Sequence, residues 1–116
     1  MMPMTLDDAK KQVGEGWWPI LETFYRYIDL LNSSLDTDID VVAVENRIGM
    51  LDITARHPDE LTQDIVDKLS WATERDSVRV CEVCGKPGYR RKAIEGSPNR
   101  CQPHYIELLT QMAEEE

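Results

Sequence analysis

The sequence predicts an α+β fold, with helices packed on a small antiparallel β-sheet and a metal-binding module at the C-terminus. Three observations predict it. Apolar residues recur at helical spacing over two long stretches. Between those stretches lie two runs rich in β-branched residues, joined by residues with turn chemistry. All three cysteines and one of the two histidines fall between positions 81 and 104.

With 116 residues, 41% apolar and 30% charged, the chain supports one modest core, and a metal staple adds to its small reserve of stability. The expected division is an α+β body over 1–79 and a module over 80–116, packed together as one unit. The net charge is −9, which disfavours general adhesion to nucleic acid or to an anionic membrane. The charge is uneven. Residues 1–79 carry 16 acidic and 8 basic side chains, a net of −8, whereas residues 86–100 carry Lys86, Arg90, Arg91, Lys92 and Arg100 against Glu95. No stretch is apolar enough to span a membrane. The N-terminal residues lack a basic segment followed by an apolar one, so a cytoplasmic protein is expected.

Taken in order, residues 5–13 form a short helix capped by Thr5. Asp7 and Asp8 lie in its first turn, where the helix dipole favours anions, and Gly14 and Gly16 end it. A second helix covers 18–34, with Pro19 in its first turn. Trp17, Leu21, Phe24, Ile28, Leu31 and Leu35 make its apolar stripe. Residues 39–56 form an antiparallel hairpin, and Asn46 and Gly49 are the residues suited to φ > 0 in its turn. A third helix covers 59–76, with Leu61, Ile65, Leu69 and Ala72 as its buried stripe and Trp71 beside it. His57 is a helix-start residue. Val78 to Val80 reads as a short strand leading into the cysteines.

The module begins Cys81-Glu-Val-Cys84-Gly85 and ends Cys101-Gln-Pro-His104. Two ligand pairs, each with two intervening residues, are what a structural zinc ion needs from a tight turn and from the first turn of a helix. Gly85 suits a turn with φ > 0. A hairpin is expected from Tyr89 to Asn99, then a helix to about residue 113 lined on one side by Ile106, Leu109 and Met112. Knuckle, hairpin and helix in that order resemble a treble-clef zinc finger. The expected cofactor is one structural zinc held by Cys81, Cys84, Cys101 and His104. A disulfide framework is disfavoured because three cysteines leave one unpaired. A redox Cys-x-x-Cys is the weaker reading, since no βαβ context is visible.

Catalysis is not expected, and no catalytic residue is assigned. Four good ligands close the zinc shell, and a catalytic zinc keeps a position open for water. His104 is followed by Tyr105 and Ile106, not by the Glu of a deaminase. Some treble clefs are His-Asn-His nucleases, but residues 85–100 hold no histidine to act in the hairpin. No small-molecule substrate is evident.

Binding surfaces remain. Tyr89, Arg90, Arg91, Lys92 and Arg100 are candidates for phosphate or nucleic-acid contact. Trp18 and Tyr25 lie off the apolar stripe and are candidates for a partner surface. Glu60, Asp64 and Asp67 share one face of the third helix, where three carboxylates present a patch to a basic partner or imitate the charge of a nucleic acid.

Several pieces line up in order: Gly16-Trp17-Trp18-Pro19 before a helix, a Val-x-Val hairpin with Ile48-Gly49-Met50-Leu51, a helix, and Cys-x-x-Cys-Gly-x-Pro-Gly followed by Cys-x-x-His. Together they resemble a family of small zinc-knuckle proteins of phages, prophages and bacteria. The hairpin departs from that family's lysine-rich turn, carrying Glu45-Asn46-Arg47 instead. The resemblance implies no enzyme activity. The expected function is a non-enzymatic, zinc-stabilised protein-binding protein: a phage- or mobile-element-encoded inhibitor or adaptor acting on a host complex in the host cytoplasm. The alternative is a small nucleic-acid-binding regulator that uses the basic hairpin.

Overall fold

The computed structural model describes residues 3–115. Helix α1 spans Leu6–Lys10, and a 3-10 turn covers Glu15–Trp17. Helix α2 spans Trp18–Leu35, strands β1 and β2 span Asp40–Arg47 and Met50–Arg56, and α3 spans Glu60–Ser77. The C-terminal module holds β3 (Tyr89–Arg90), β4 (Asn99–Arg100) and α4 (Gln102–Glu114). Two antiparallel pairs, β1–β2 and β3–β4, are the sheets. The architecture is α+β, as the patterning predicts. No helix of the described residues is long and apolar enough to cross a membrane.

Helix α1 starts as expected, with a capping box between Thr5 and Asp8. It ends at Lys10, short of the expected Val13. The Lys10 carbonyl, which a longer helix would bond to the N–H of residue 14, accepts the Trp18 indole N–H at 3.0 Å. In α2 the stripe is buried through Trp17, Leu21, Phe24 and Ile28. Leu31 is half-buried and Leu35 is exposed, because the helix runs past the core before Asp36 closes it in the left-handed region at φ 48°.

Strand β2 alternates cleanly, with Leu51, Ile53 and Ala55 turned inward. In β1 the inward residues are Val41 and Val44, three apart rather than two. A register shift between Val41 and Ala43 admits the extra residue. The turn is tighter than expected. Arg47 pairs with Met50, leaving Ile48 at φ 49° and Gly49 at φ 82° as the two central residues. Positive φ at both positions is the mark of a type I′ hairpin turn. Asn46 is therefore a strand residue, and Ile48 holds the φ > 0 position assigned to it.

The main correction concerns α3. Its buried residues are Thr62, Val66, Ser70, Thr73 and Ser77, while Leu61 is 78% exposed, and Ile65 and Ala72 are also exposed. Leu69 is half-buried. The physical reason is the open edge of β2. A two-stranded sheet leaves the outward N–H and C=O groups of β2 without strand partners. Helix α3 supplies them from side chains. Ser77 Oγ accepts from the Leu51 N–H at 2.9 Å, Glu74 from the Ile53 N–H at 2.8 Å, and Gln63 Nε2 donates to the Ala55 carbonyl at 3.0 Å. A helix that stands in for a third strand must turn polar residues inward, and its apolar residues are left facing out.

His57 stands at the start of α3 as expected. Its Nδ1 accepts from the Asp59 N–H at 3.0 Å, and its Nε2 meets the Thr37 hydroxyl. Val78 to Val80 is not a strand. Only Val80 makes a single bridge, to Pro87, because the chain is turning from α3 into the knuckle.

Candidate metal centre

Three separate pieces of local chemistry place the four donors. The knuckle turn is closed by the Gly85 N–H on the Cys81 carbonyl at 2.9 Å, with Gly85 at φ 80°. The β3–β4 hairpin delivers Cys101 to the N-cap of α4. His104 follows in the first turn, where Pro103 needs no N–H partner.

The donor atoms of Cys81, Cys84, Cys101 and His104 all lie within 4.8 Å of one another. Cys84 Sγ is 3.7 Å from Cys101 Sγ. His104 Nδ1 is 3.7 Å from Cys81 Sγ and 3.1 Å from Cys101 Sγ. The edges of a tetrahedron built from three thiolates and one imidazole around a single zinc are about 3.5–3.8 Å. The residues fit such an ion, with Nδ1 as the imidazole donor. They lie close enough together to hold a metal.

The environment favours thiolate at Cys81 and disfavours it at Cys84. Burial pushes the Cys81 thiol up, but the backbone N–H groups of Cys101, Cys84 and Val83 outweigh it and bring it down to about 6. At Cys84 the Lys86 N–H pulls the other way, yet burial and the thiols of Cys101 and Cys81 hold it above the ordinary range. A metal joining all four donors would displace the remaining protons.

The knuckle sits directly on the body. The Gly16 N–H donates to the Glu82 carbonyl at 3.0 Å. A Cβ on Gly16 would lie 2.0 Å from the Cys81 carbonyl oxygen, so only glycine permits the approach. Fully buried Trp17 donates its indole N–H to the Val80 carbonyl at 2.9 Å. The Gly-Trp pair, 65 residues before the first cysteine, is the seat of the knuckle.

A second junction is polar and buried. Asn99 is fully buried, and its Nδ2 reaches the carbonyls of Gly49, Ser77 and Val78 at 3.2, 3.2 and 2.8 Å. Its N–H donates to Glu82 Oε1 at 2.7 Å. The same carboxylate is met by Asn46 Nδ2 and lies 3.6 Å from Arg100 Nε. The hairpin turn, the end of α3, the knuckle and β4 thus converge on two side chains. Sequence reasoning missed both, since a Glu inside Cys-x-x-Cys and an Asn before an Arg look like surface residues. The excess of cations around an otherwise isolated Glu82 is the one available hint.

The basic hairpin is partly committed to structure. Arg91 donates to the Arg100 carbonyl at 3.0 Å and lies over the Tyr105 ring at 4.3 Å, joining the hairpin to α4. Arg100 faces Glu82. Tyr89 and Lys92 are exposed, and Arg90 is half-buried. Trp18 and Tyr25 are half-buried and hold the N-terminal segment. The first bonds Lys10 and lies 5.4 Å from its ammonium, and the second donates its hydroxyl to the Met4 carbonyl at 2.9 Å. That role leaves neither as the free aromatic surface expected of it. Glu60, Asp64 and Asp67 are exposed on one side of α3.

Comparison of the chain with protein-family models, curated proteins and solved structures returned no match.

Proposed function

We propose that the chain is a non-enzymatic, zinc-stabilised protein-binding protein, of the kind a phage or mobile element encodes to inhibit or adapt a host complex. Three thiolates and an imidazole gathered within 4.8 Å of one another are the borderline-soft set that suits zinc. Four donors leave no coordination position for water or substrate, which supports a structural ion. The meeting of Gly16-Trp17 with the knuckle supports reading the two motifs as one unit, as in the phage and bacterial zinc-knuckle proteins that the sequence resembles.

The observation that carries protein binding is on α3. Trp71 is 61% exposed. It lies four residues after Asp67 and seven after Asp64, so Glu60, Asp64, Asp67 and Trp71 form one stripe along the helix. Arg75 lies 5.0 Å over the indole and pre-orients it. A large rigid aromatic among carboxylates is the composition of a binding hot spot for a basic surface with a pocket.

Affinity capture from bacterial lysate at near-physiological salt tests this reading. The wild-type chain should recover a protein that the Trp71→Ala variant loses. Recovery of nothing, or of the same protein by both, overturns it. The nucleic-acid alternative now rests on Tyr89, Arg90 and Lys92, and the same capture after nuclease treatment separates it.

A further inference from the structure

The β3–β4 hairpin has two faces, and its register assigns residues to them. Directly opposed residues of an antiparallel pair point to the same side. Arg90 is opposed to Asn99, which is fully buried, and a Cβ on Gly49 would meet Arg90 Cγ at 2.9 Å, so this pair faces the body. Tyr89 is opposed to Arg100 on the other side. Arg91 takes the next outward position, with its N–H bonded to the Pro98 carbonyl at 2.9 Å.

The outward side carries a stack that is already assembled. The Arg91 guanidinium lies 5.7 Å from the Tyr89 ring and 4.3 Å from the Tyr105 ring of α4. Its Nε and Nη2 donate to the Arg100 carbonyl at 3.2 and 3.0 Å, and Nη2 also reaches Gln102 Oε1 at 3.4 Å. These bonds fix the plane of the guanidinium. They leave Nη1 without an acceptor among the described residues. Tyr89 is 68% exposed, so Arg91 covers only part of its ring. Lys92 follows in the turn that the Ile94 N–H closes on the Arg91 carbonyl at 3.0 Å. It is exposed and makes no ion pair among the described residues.

The chemistry of this side selects a ligand. Residues 86–106 contain five Lys or Arg and one acid, Glu95, which sits in the loop beyond β3. Glu107 comes two residues after Tyr105, on the opposite side of α4 by helical spacing. An exposed ring beside uncommitted cations suits a partner that is both planar and anionic, and a nucleotide unit offers a base to stack and a phosphate to pair. A duplex keeps its bases stacked on one another, so a lone ring takes only an unpaired base. The net charge of −9 opposes wide phosphate contact and keeps the contact local.

We propose that the outward face of the β3–β4 hairpin binds single-stranded nucleic acid, with one base stacked on Tyr89 and the adjoining phosphates held by Arg91 Nη1 and Lys92. The contact uses Arg91 in place of Arg90, whose stem is turned inward. This ligand is additional to the protein partner of α3. Tyr89 and Trp71 lie on different elements, so either reading can fail alone.

Fluorescence anisotropy with a labelled oligodeoxythymidine of about a dozen nucleotides tests the proposal. At low salt the wild type should bind it more tightly than a duplex of equal length and more tightly than polyglutamate. Two phosphate contacts predict that log affinity falls against log salt with a slope of about −1.4, which Lys92→Ala should halve. Tyr89→Ala should weaken binding about tenfold, and Tyr89→Phe should keep it, because stacking needs the ring and not the hydroxyl. Lys92→Ala, outside the stack, keeps the proposal testable if Tyr89→Ala fails to fold. A wild type that does not bind the oligonucleotide at low salt overturns the proposal. So does equal affinity of the wild type and a folded Tyr89→Ala chain, or a duplex that binds as well as the single strand. Polyglutamate that competes as well as the oligonucleotide also overturns it, and would assign this face to an acidic protein.

Discussion

Tyr25 shows how one residue off the apolar stripe acquires a role. Its hydroxyl donates to Met4, and burial, reinforced by nearby Asp8, pushes it up to about 12 from the ordinary 10. A tyrosine that keeps its proton in the fold contributes stability that is intact below pH 10. That contribution is lost as pH rises toward 12, because the unfolded chain releases its proton first. Urea titrations across this range should show the wild type losing stability. Tyr25→Phe should be about 1 kcal/mol less stable at neutral pH, where the hydrogen bond is missing, and should flatten the alkaline decline. An equal decline in both would detach Tyr25 from it. Glu74 is displaced the same way, by burial first, with Asp52 adding to it while the Ile53 N–H opposes. There the raised value means that the ionised carboxylate weighs against folding, and that cost is relieved as pH falls.

At the scale of elements, the β1–β2 turn and helix α3 each depart from the simplest pattern. Ile48 is a β-branched residue in the left-handed region, a conformation that costs about 1–2 kcal/mol. It is 51% exposed, so its side chain has little packing to offset the strain. Ile48→Asn should therefore raise stability by about 1 kcal/mol, read as a higher urea midpoint at unchanged slope. A lower midpoint would show that the side chain makes contacts worth more than the strain. In α3, four apolar positions pointed to one stripe and the buried residues occupy another. Period alone identified the helix correctly. It could not choose the face, because the choice belongs to the unpaired edge of β2, which needs Gln63, Glu74 and Ser77 within reach.

The body and the C-terminal module that gathers the four donors meet at two places: Gly16 and Trp17 on the knuckle, and Glu82 and Asn99 between the hairpins. Metal analysis of purified chain should give about one zinc per copy. Chelation should release α4, whose first turn rests on two of the ligands, and remove roughly a quarter of the helical circular-dichroism signal, α4's share of the helical residues. The body should keep the rest, with a lower melting temperature. A chelated chain with full helix content and unchanged melting would mean that the four donors hold no structural ion.

The sequence by itself determined the four clustered donors, the four helices, the hairpin and the α+β class. These are written in short spacings: two residues between donors, 3.6 between apolar positions, a capping residue before a first turn. Only the tertiary structure decided that Gly16 presses on Cys81, that Glu82 and Asn99 are the buried knot, that Trp18 and Tyr25 face their own N-terminus, and that α3 turns its polar side inward. Those outcomes depend on residues from eight to more than sixty positions apart coming into contact. No local pattern records which backbone edge will be left needing hydrogen bonds, and that need settled which face of α3 went in and which stayed exposed.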